Sequence, residues 1–446
     1  MNPKINYPVT LSKNLIQTSL CAGLLSLSFH GFAQTAEFLV IDGLITDDIP
    51  FSEANGVSDD GSTVVGMSAT NEGTISAFRW KNGQAIDLGA LPSVGPNSSG
   101  QGISGDGEVL VGRGRTVNEE GTPINAGWMW AENSGMLDLG RPATFASDAS
   151  YDGNVIVGKA SSDNSDAFRW TPGTGVQLLP VLRSVEPNST NAANAVSGDG
   201  SVIVGKSGSY AVRWTLENDT FSLGDFKGEA FDVTSDGSVI VGSGSFNGSD
   251  EAFLNEAFRW TEQTGAVALG LLPGHSGYSR AKAISADGSV IVGTSADSQL
   301  NEIKAFIWDA ENGMRDLQQV LETDFNLDLG GLTLTSANGV SADGKIIVGR
   351  AVDANDRPRG WWVNLDQEGV QPPSLSLTVE VKRFLFFFSY TKISWSGATD
   401  NVEVLKDGKV IRSGGQSGEF TQSGKGSTYQ VCQVNSDYCS DSMVAR

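Results

Sequence analysis

The sequence predicts an all-β protein: a seven-bladed β-propeller that is closed by its N-terminal strand and followed by a small C-terminal β-sandwich. Three observations in the 446-residue chain predict this fold. A turn motif occurs seven times, an aromatic strand motif follows each turn, and the last repeat lacks a final strand that is present before the first repeat. A period of about 40–45 residues is typical of four-stranded propeller blades.

The turn motif reads Ser or Thr, any residue, Asp-Gly, and then an aliphatic pair that ends in Gly. Its Asp-Gly glycines are separated by 46, 46, 47, 37, 51 and 56 residues. Asp-Gly between β-rich runs indicates a tight hairpin, because Gly accepts the positive φ of the turn and Asp bonds to nearby backbone amides. We therefore assign a structural role to the seven turn aspartates, which are Asp60, Asp106, Asp152, Asp199, Asp236, Asp287 and Asp343.

The aromatic motif reads Ala-Phe-Arg-Trp in its clearest copies, as at Ala77–Trp80, and nine of the ten tryptophans fall in its copies. Strand side chains alternate between faces, so Phe and Trp share one face while Ala and Arg share the other. A small face against a bulky aromatic face suits the packing of one blade on the next. Core packing is therefore favoured over a sugar-stacking platform.

A fourth strand, such as Ile86–Gly89, follows the aromatic motif in most repeats. None follows the last copy at Gly360–Trp362, but an equivalent run at Phe38–Leu44 precedes the first repeat. This offset predicts that the N-terminal strand completes the last blade and removes the free sheet edges. The predicted propeller spans residues 37–365, with a linker at 366–373.

The loops fall into two groups. The Asp-Gly turns and the turns after the third strands are short and uniform, and they share one face of the propeller. The opposite face carries long loops that differ from one another, such as Arg115 to Asn125 and Gln318 to Ser336. Binding specificity usually lies in variable loops on a rigid scaffold, so any ligand is expected on this variable face.

Residues 1–33 have the pattern of a secretory signal peptide, with two lysines, an apolar stretch and a cleavage site after Ala33. The chain is therefore expected to be exported to the periplasm or the extracellular space, with no membrane span after removal of the signal. Two cysteines at the far end, Cys432 and Cys439, are expected to form one disulfide in an exported protein. They lie in a second domain that is predicted at 374–446.

The chain carries 30 Lys and Arg against 52 Asp and Glu, a net charge of −22. The signal contributes +2 and the C-terminal region +1, which leaves about −25 on residues 34–371. Such a surface repels nucleic acid and anionic lipid, since binding these requires Lys and Arg to displace counterions. Cationic partners or calcium remain compatible with it, and a plain solvated acidic surface is the simpler explanation.

Taken together, the Ala-Phe-x-Trp motif, the Leu-Gly-x-Leu-Pro pattern at Leu88–Pro92 and the Ser-x-Asp-Gly turns resemble the bacterial HAF family of extracellular repeats. This resemblance covers residues 37–365 and implies export and a propeller-like fold, with no settled activity. The residue before Ala-Phe is not the His of the family motif, so no metal role carries over. From Ser374 the chain resembles a fibronectin type III-like sandwich of the kind appended to secreted bacterial hydrolases.

The sequence offers little catalytic chemistry. The mature chain has one histidine, His275, and it lies in a variable-face loop near Tyr278 and Arg280. These three residues are the candidate ligand-binding group, although a lone loop histidine is more often simply exposed. No catalytic residue, resident metal or cofactor is assigned. Calcium is the one ion considered, at Asp59-Asp60 or at the polar run 162–166, because it prefers oxygen ligands.

Three functions follow from these observations. The leading hypothesis is an exported, non-enzymatic binding or adhesion protein that recognises a glycan, matrix or surface protein through its variable face. The second is a secreted polysaccharide-active hydrolase or lyase, which would need a matched acid and base on opposing loops. The third is an envelope or biofilm component whose acidic surface works through calcium.

Overall fold

The computed structural model describes most of residues 36–366 and the strands of the C-terminal region. The described ranges are 36–45, 51–91, 97–160, 166–183, 185, 189–215, 219–246, 255–300, 302–366, 376–384, 388–396, 402–407, 409–414, 418–423, 428–433 and 443–444. The expected signal peptide and most of the expected linker lie outside them. Within the described ranges the protein is all-β, apart from one helix of seven residues.

The first thirteen strands of the repeat region are short and regularly spaced. They are β1 (Glu37–Ile41), β2 (Ser52–Val57), β3 (Thr63–Ala69), β4 (Ile75–Lys81), β5 (Gln84–Asp87), β6 (Ser99–Ile103), β7 (Leu110–Val117), β8 (Pro123–Ala131), β9 (Gly135–Asp138), β10 (Ala143–Ala149), β11 (Ile156–Ala160), β12 (Asp166–Thr171) and β13 (Gly175–Leu178). The strands of three more sheets follow at similar spacing along the chain. They are β14 (Asn191–Val196), β15 (Val202–Ser207), β16 (Tyr210–Thr215), β17 (Thr220–Val233), β18 (Val239–Gly244), β19 (Glu256–Thr261), β20 (Gly265–Gly270), β21 (Tyr278–Ile284), β22 (Ile291–Ala296), β23 (Ile303–Asp309), β24 (Gly313–Asp316), β25 (Thr333–Val340), β26 (Ile346–Val352) and β27 (Pro358–Asn364).

All of these strands pair with antiparallel neighbours. Four sheets contain consecutive strands only, in the orders β2-β3-β4-β5, β6-β7-β8-β9, β10-β11-β12-β13 and β21-β22-β23-β24. A seven-stranded sheet runs from β14 to β20, because the 14-residue strand β17 pairs with β16 through its first half and with β18 through its second half. The remaining sheet has the order β1-β27-β26-β25, so the first strand of the chain pairs with the last strand of the repeats.

Two loop boundaries differ from the sequence prediction. Arg115 and Asn125 face each other as paired residues of β7 and β8, so the connecting loop is confined to residues 118–122. The predicted loop after Gln318 contains helix α1 (Leu317–Thr323), whose Leu317 and Leu321 are fully buried. Their spacing of four residues places them on one helical face. This pattern covers only about two turns, which is too short to stand out within a long connection.

The first strand of each repeat contains a β-bulge. In β2, for example, the pairing with β3 shifts between Ala54 and Gly56, which leaves Asn55 outside the regular register. The same shift occurs in β6, β10, β14, the second half of β17, β21 and β25. A bulge turns its unpaired residue away from the ladder and increases the local twist. These seven bulged residues therefore form an equivalent set.

The hydrophobic core lies between successive sheets. Ala77 of β4 is buried with Trp128 of the next sheet, whereas Phe78 is buried with Ile41 and Val348 on its other side. Gly112 explains the glycine that ends each aliphatic pair: a Cβ there would overlap the Ser99 carbonyl and the Trp128 indole. Small and aromatic faces thus interlock from one sheet to the next.

The C-terminal strands form two further sheets. The strands are β28 (Ser376–Phe384), β29 (Phe388–Ser396), β30 (Val402–Lys406), β31 (Lys409–Gly414), β32 (Gly418–Ser423), β33 (Thr428–Gln433) and β34 (Met443–Val444). Their orders are β28-β29-β32 and β31-β30-β33-β34, with Ile393, Val404 and Tyr429 buried. The expected disulfide lies outside the described side chains, since only the backbone of Cys432 in β33 is described. The fibronectin type III-like assignment stays a prediction.

Candidate functional site

The seven turn aspartates make one repeated local structure. Asp287 is representative: its Oδ1 accepts hydrogen bonds from Ser285 Oγ at 2.7 Å and from the Ser289 backbone N–H at 2.9 Å. Ser285 Oγ in turn accepts the Val290 N–H at 3.0 Å. Hydrogen bonds from Ser289 and Ser285 hold the pKa of Asp287 below its ordinary value. The turn glycines have φ values between 68° and 76°. Each turn carboxylate accepts a hydrogen bond from the Ser or Thr hydroxyl two residues before it, so all seven are engaged in turn structure.

The turns also contact one another from sheet to sheet. Asp59 N–H donates to the Gly105 carbonyl at 3.0 Å, which joins the first repeat to the second. Equivalent backbone hydrogen bonds join the second repeat to the third, the third to the fourth, and the fourth to the fifth at Ser235. Between the last and first repeats, Ala342 N–H donates to the Asp59 carbonyl at 3.0 Å. The Asp-Gly side of the repeat domain is therefore tied together by backbone hydrogen bonds that include the two ends of the repeat array.

A channel of about 230 Å³ runs past the first strands, and all seven repeats contribute to its wall. The bulged residues line it, and they are Asn55, Gln101, Ser147, Asn194, Phe231, Lys282 and Asn338. Several of them donate to the neighbouring sheet: Asn55 Nδ2 to the Gly100 carbonyl at 2.8 Å, and Asn338 Nδ2 to the Ala54 carbonyl at 2.9 Å. The bulges therefore join adjacent sheets with side-chain hydrogen bonds.

Two carboxylates, Asp148 and Asp232, follow bulged residues and face the channel. Asp148 Oδ2 accepts the Val196 N–H at 3.0 Å, and Asp232 Oδ2 accepts the Ile284 N–H at 2.9 Å, in each case from the next sheet along the chain. Burial raises the pKa of Asp148 to about 7. Burial, reinforced by the charge of Asp148, raises the pKa of Asp232 to about 8. Both side chains are half-buried and open only toward the channel, and their backbone hydrogen bonds give them a structural task.

A lysine shares this channel. Lys282 Nζ donates to Asn338 Oδ1 at 2.9 Å, and burial, with Arg280 nearby, lowers its pKa to about 8. The channel therefore holds charges of both signs, each bonded to the protein. Nothing in this arrangement leaves a free nucleophile facing a free base.

The structure does not assemble the predicted group of His275, Tyr278 and Arg280 into one site. His275 has a side chain that is only 3% exposed, with Nδ1 at 3.0 Å from Ser295 Oγ, so the expectation of an exposed loop histidine is wrong. The loop folds back onto β22, which carries Ser295. Tyr278 and Arg280 lie instead on one face of β21, where the Arg280 guanidinium is 4.6 Å from the Tyr278 ring centre. His275 lines a separate cavity with Lys304 and Asp316.

Another cavity, of about 610 Å³, lies between the second and third repeats, at the ends of β7 and β8 remote from the Asp-Gly turns. We call it the arginine pocket. Its lining residues are Arg113, Arg115, Pro123, Ile124, Asn125, Arg141, Thr144, Phe145, Lys159 and Ala160. The three arginines are exposed, and the lining includes no acidic side chain. Within the described part of the chain, none of its four cations forms an ion pair with a carboxylate.

The Phe145 ring organises this pocket. The Arg113 guanidinium lies 5.8 Å from the ring centre and Lys159 Nζ lies 5.6 Å from it. A cation over an aromatic face is held by the ring quadrupole. Arg113 and Arg115 also line an adjoining cavity of about 440 Å³ that reaches Phe51 of the first repeat. The two cavities share Arg113, Arg115 and Asn125 in their linings, and we call them together the groove.

The expected calcium positions are only partly described. Asp60 Oδ1 is engaged by Ser58 and Ser62 in its turn, while Asp59 lines the channel, so the two carboxylates serve different surroundings. Burial and the neighbouring Asp60 charge raise the pKa of Asp59. Most of the run 162–166 lies outside the described residues. Among the residues that are described, no three His, Cys, Asp or Glu side chains are grouped to hold a metal ion.

The channel and the arginine pocket were both missed from the sequence. A signal for the channel was present, since polar residues interrupt otherwise small and apolar first strands directly before Gly or Ala, as at Asn55-Gly56 and Asn338-Gly339. The pocket had a weaker signal in the alternation Arg113-Gly114-Arg115, which places two cations on one side of a strand. Arg141 and Lys159 join them only through tertiary structure. No described helix has the length and apolar character needed to cross a membrane.

No protein-family model matches the chain, and no curated protein matches it in sequence. Solved structures with a similar backbone fold include oligogalacturonate lyase from Vibrio parahaemolyticus, which is 13% identical with a TM-score of 0.49. The match covers 74% of this chain and 97% of that chain. TolB from Acinetobacter baumannii is 14% identical with a TM-score of 0.37, covering 71% of this chain and 65% of that chain. The β-propeller domain of the Trilobed protease from Pyrococcus furiosus is 14% identical with a TM-score of 0.43, covering 71% of this chain and 94% of that chain. These similarities assign the chain to no family.

Proposed function

We propose that residues 37–365 form a closed seven-bladed β-propeller of HAF type that acts outside the cytoplasm as a binding protein. Counting the two halves of β17 in separate units, each of the first six repeats supplies four strands and the last supplies three, with β1 in the fourth place. Pairing of β1 with β27 supports closure. So do the hydrogen bonds from Ala342 to Asp59 and from Asn338 to Ala54, which join the last repeat to the first.

The arginine pocket carries the binding function in this proposal. It lies on the side of the repeats opposite the Asp-Gly turns, where the variable loops are expected, and its exposed cations have no internal ion-pair partner among the described residues. By contrast, Arg357 Nε is paired with Asp353 Oδ2 at 2.8 Å. Unpaired cations around an open cavity of this volume favour recognition of an external ligand.

A polysaccharide-active hydrolase or lyase is the second candidate. Asp148 and Asp232 are the carboxyl groups whose raised pKa values would suit acid–base chemistry. Each is bonded to backbone N–H groups of its own and the next sheet inside a narrow channel, which favours a structural role. The described lining of the arginine pocket contains four cations and the amide of Asn125 without a carboxylate, which favours binding over glycoside hydrolysis. Calcium-dependent assembly, the third candidate, has no described ligand cluster in its support.

Binding and product release measured together separate these candidates. The chain from Gln34 to Arg446 would be incubated with neutral and acidic polysaccharides, with and without calcium, and both the bound fraction and new reducing or unsaturated ends would be measured. We expect binding without products, unchanged by calcium. Products would establish the enzyme instead, and calcium-dependent aggregation without ligand would establish the structural component. Absence of binding to every polysaccharide would reject a glycan ligand.

A further inference from the structure

The arginine pocket stands out against the charge of the whole protein. Acidic residues outnumber Lys and Arg by 52 to 30 along the chain, yet the described residues that line this cavity include four cations and no carboxylate. Charges of one sign that converge without compensation are costly unless a partner of the opposite sign binds between them. The ligand is therefore expected to be an anion, in contrast with the cationic partners that the net charge favours elsewhere on the surface.

The cations are positioned before any ligand arrives. Arg113 and Lys159 are held against the ring of Phe145, and Thr144 Oγ1 donates to the Lys159 carbonyl at 3.0 Å. Holding long side chains in place lowers the entropy that a ligand must overcome on binding. Guanidinium groups in such a setting suit carboxylate and sulfate oxygens, because they offer paired N–H donors in a planar fork.

The shape of the groove indicates a ligand with several anionic groups. Arg113 and Arg115 are two residues apart on β7, so their Cα atoms are about 6.6 Å apart along the strand. Arg141 and Lys159 approach from the next repeat, and cavities of about 610 and 440 Å³ extend to the two sides. A single small anion would meet only part of this set. A chain with a negative charge on successive units would meet all of it.

Strand pairing favours a polysaccharide over an acidic peptide. β7, β8 and β11 each have paired neighbours on both sides, whereas β10 pairs only with β11 and lines the narrow channel at Ser147 and Asp148. Three of the four pocket strands therefore offer no free edge to which an extended peptide could add. The pocket supplements its cations with the exposed amide of Asn125, a neutral group that can both donate to and accept from sugar hydroxyls. Cations interspersed with an amide suit a polymer that carries hydroxyl and acidic groups together.

We propose that the arginine pocket binds an acidic polysaccharide, through either uronate carboxylates or sulfate esters. This inference rests on the proposed binding function of the same surface and adds the chemical class of its ligand. Association is then driven by charge and weakens as salt is added, because ions screen exposed charges beyond about 10 Å at 0.1 M ionic strength.

The test is a binding titration with four soluble probes: polygalacturonate for carboxylates, dextran sulfate for sulfates, unmodified dextran as the neutral polymer, and polyglutamate as the acidic peptide. The chain from Gln34 would be compared with the variant Arg113→Gln/Arg115→Gln. Both arginines are exposed, so the variant is expected to fold normally. The control variant Arg183→Gln/Lys409→Gln removes the same charge from exposed positions that do not line the pocket.

We expect at least one acidic polysaccharide to bind ten times more weakly to the pocket variant and equally well to the control. The two acidic polymers distinguish carboxylate from sulfate recognition. Dextran binding that the pocket variant abolishes would overturn the ligand class while leaving the binding function in place. Stronger binding of polyglutamate would replace the polysaccharide by an acidic peptide. No pocket-dependent binding to any of the four probes would reject the acidic polysaccharide as the ligand of this pocket.

Discussion

Replacing Asp148 by Asn tests whether the channel carboxylates make the folded protein sensitive to pH. The pKa of Asp148 is raised to about 7 because its carboxylate is surrounded by protein. The unfolded chain has an ordinary value of about 3.9. The folded state therefore binds the proton more tightly, and the associated stability is complete below pH 4 and is lost as pH rises through 7.

The magnitude follows from the size of the shift. About three pKa units correspond to roughly 4 kcal/mol at 1.36 kcal/mol per unit. Because Asp148 is only half-buried and lines the channel, solvent screens part of its charge, and we expect about half of that, or about 2 kcal/mol, between pH 5 and pH 8. Asp232 adds a loss of the same sign that extends to about pH 8, where its proton leaves the folded state as well.

Urea unfolding of the chain from Gln34, followed by tryptophan fluorescence at several pH values, measures this effect. Wild type is expected to lose stability from pH 5 to pH 8, and Asp148→Asn to lose about 2 kcal/mol less over the same interval. The Asn side chain can still accept the Val196 N–H, so the comparison rests on the slope with pH and not on absolute stability. Asp225→Asn, at an exposed position, is the matched control and is expected to keep the wild-type slope. Equal slopes in wild type and Asp148→Asn would refute the reasoning.

Three further predictions concern the fold. Gly112→Ala is expected to cost about 3 kcal/mol in urea unfolding, because its Cβ would overlap the Ser99 carbonyl and the Trp128 ring, whereas Gly173→Ala, with no atom near the added Cβ, is expected to be neutral. Asp287→Ala is expected to cost about 1 kcal/mol at pH 7 through its lost turn hydrogen bonds. Since the pKa of Asp287 is lowered in the folded state, its charge stabilises the fold above the ordinary pKa. The difference in unfolding free energy between wild type and Asp287→Ala therefore shrinks as pH falls below that ordinary pKa. An unchanged difference at pH 2 would contradict the role of the charge. Ile41→Ala is expected to cost about 3 kcal/mol in the same unfolding assay, because Ile41 of β1 is fully buried against the first and last sheets; a cost under 1 kcal/mol would count against closure by β1.

Much of the architecture was readable from the sequence because its signals are local. Asp-Gly at a hairpin, alternation of Ala-Phe-Arg-Trp and the displaced strand at Phe38 depend only on residues close in sequence. The structure places strands at these positions and pairs β1 with β27. It also contains β13 (Gly175–Leu178), a four-residue strand whose mixed composition gave no clear fourth-strand motif.

The functional surfaces were decided only by tertiary structure. His275, prominent as the one histidine after the expected signal peptide, is buried against Ser295, which follows it by 20 residues along the chain. The channel required the bulges, and a bulge depends on the register between two strands. The arginine pocket required Arg113 and Lys159 to meet around Phe145 from separate sheets. Local turn chemistry and strand alternation thus determined the repeats. The packing of the sheets decided which charges distant in sequence come together, and no short sequence pattern encodes that packing.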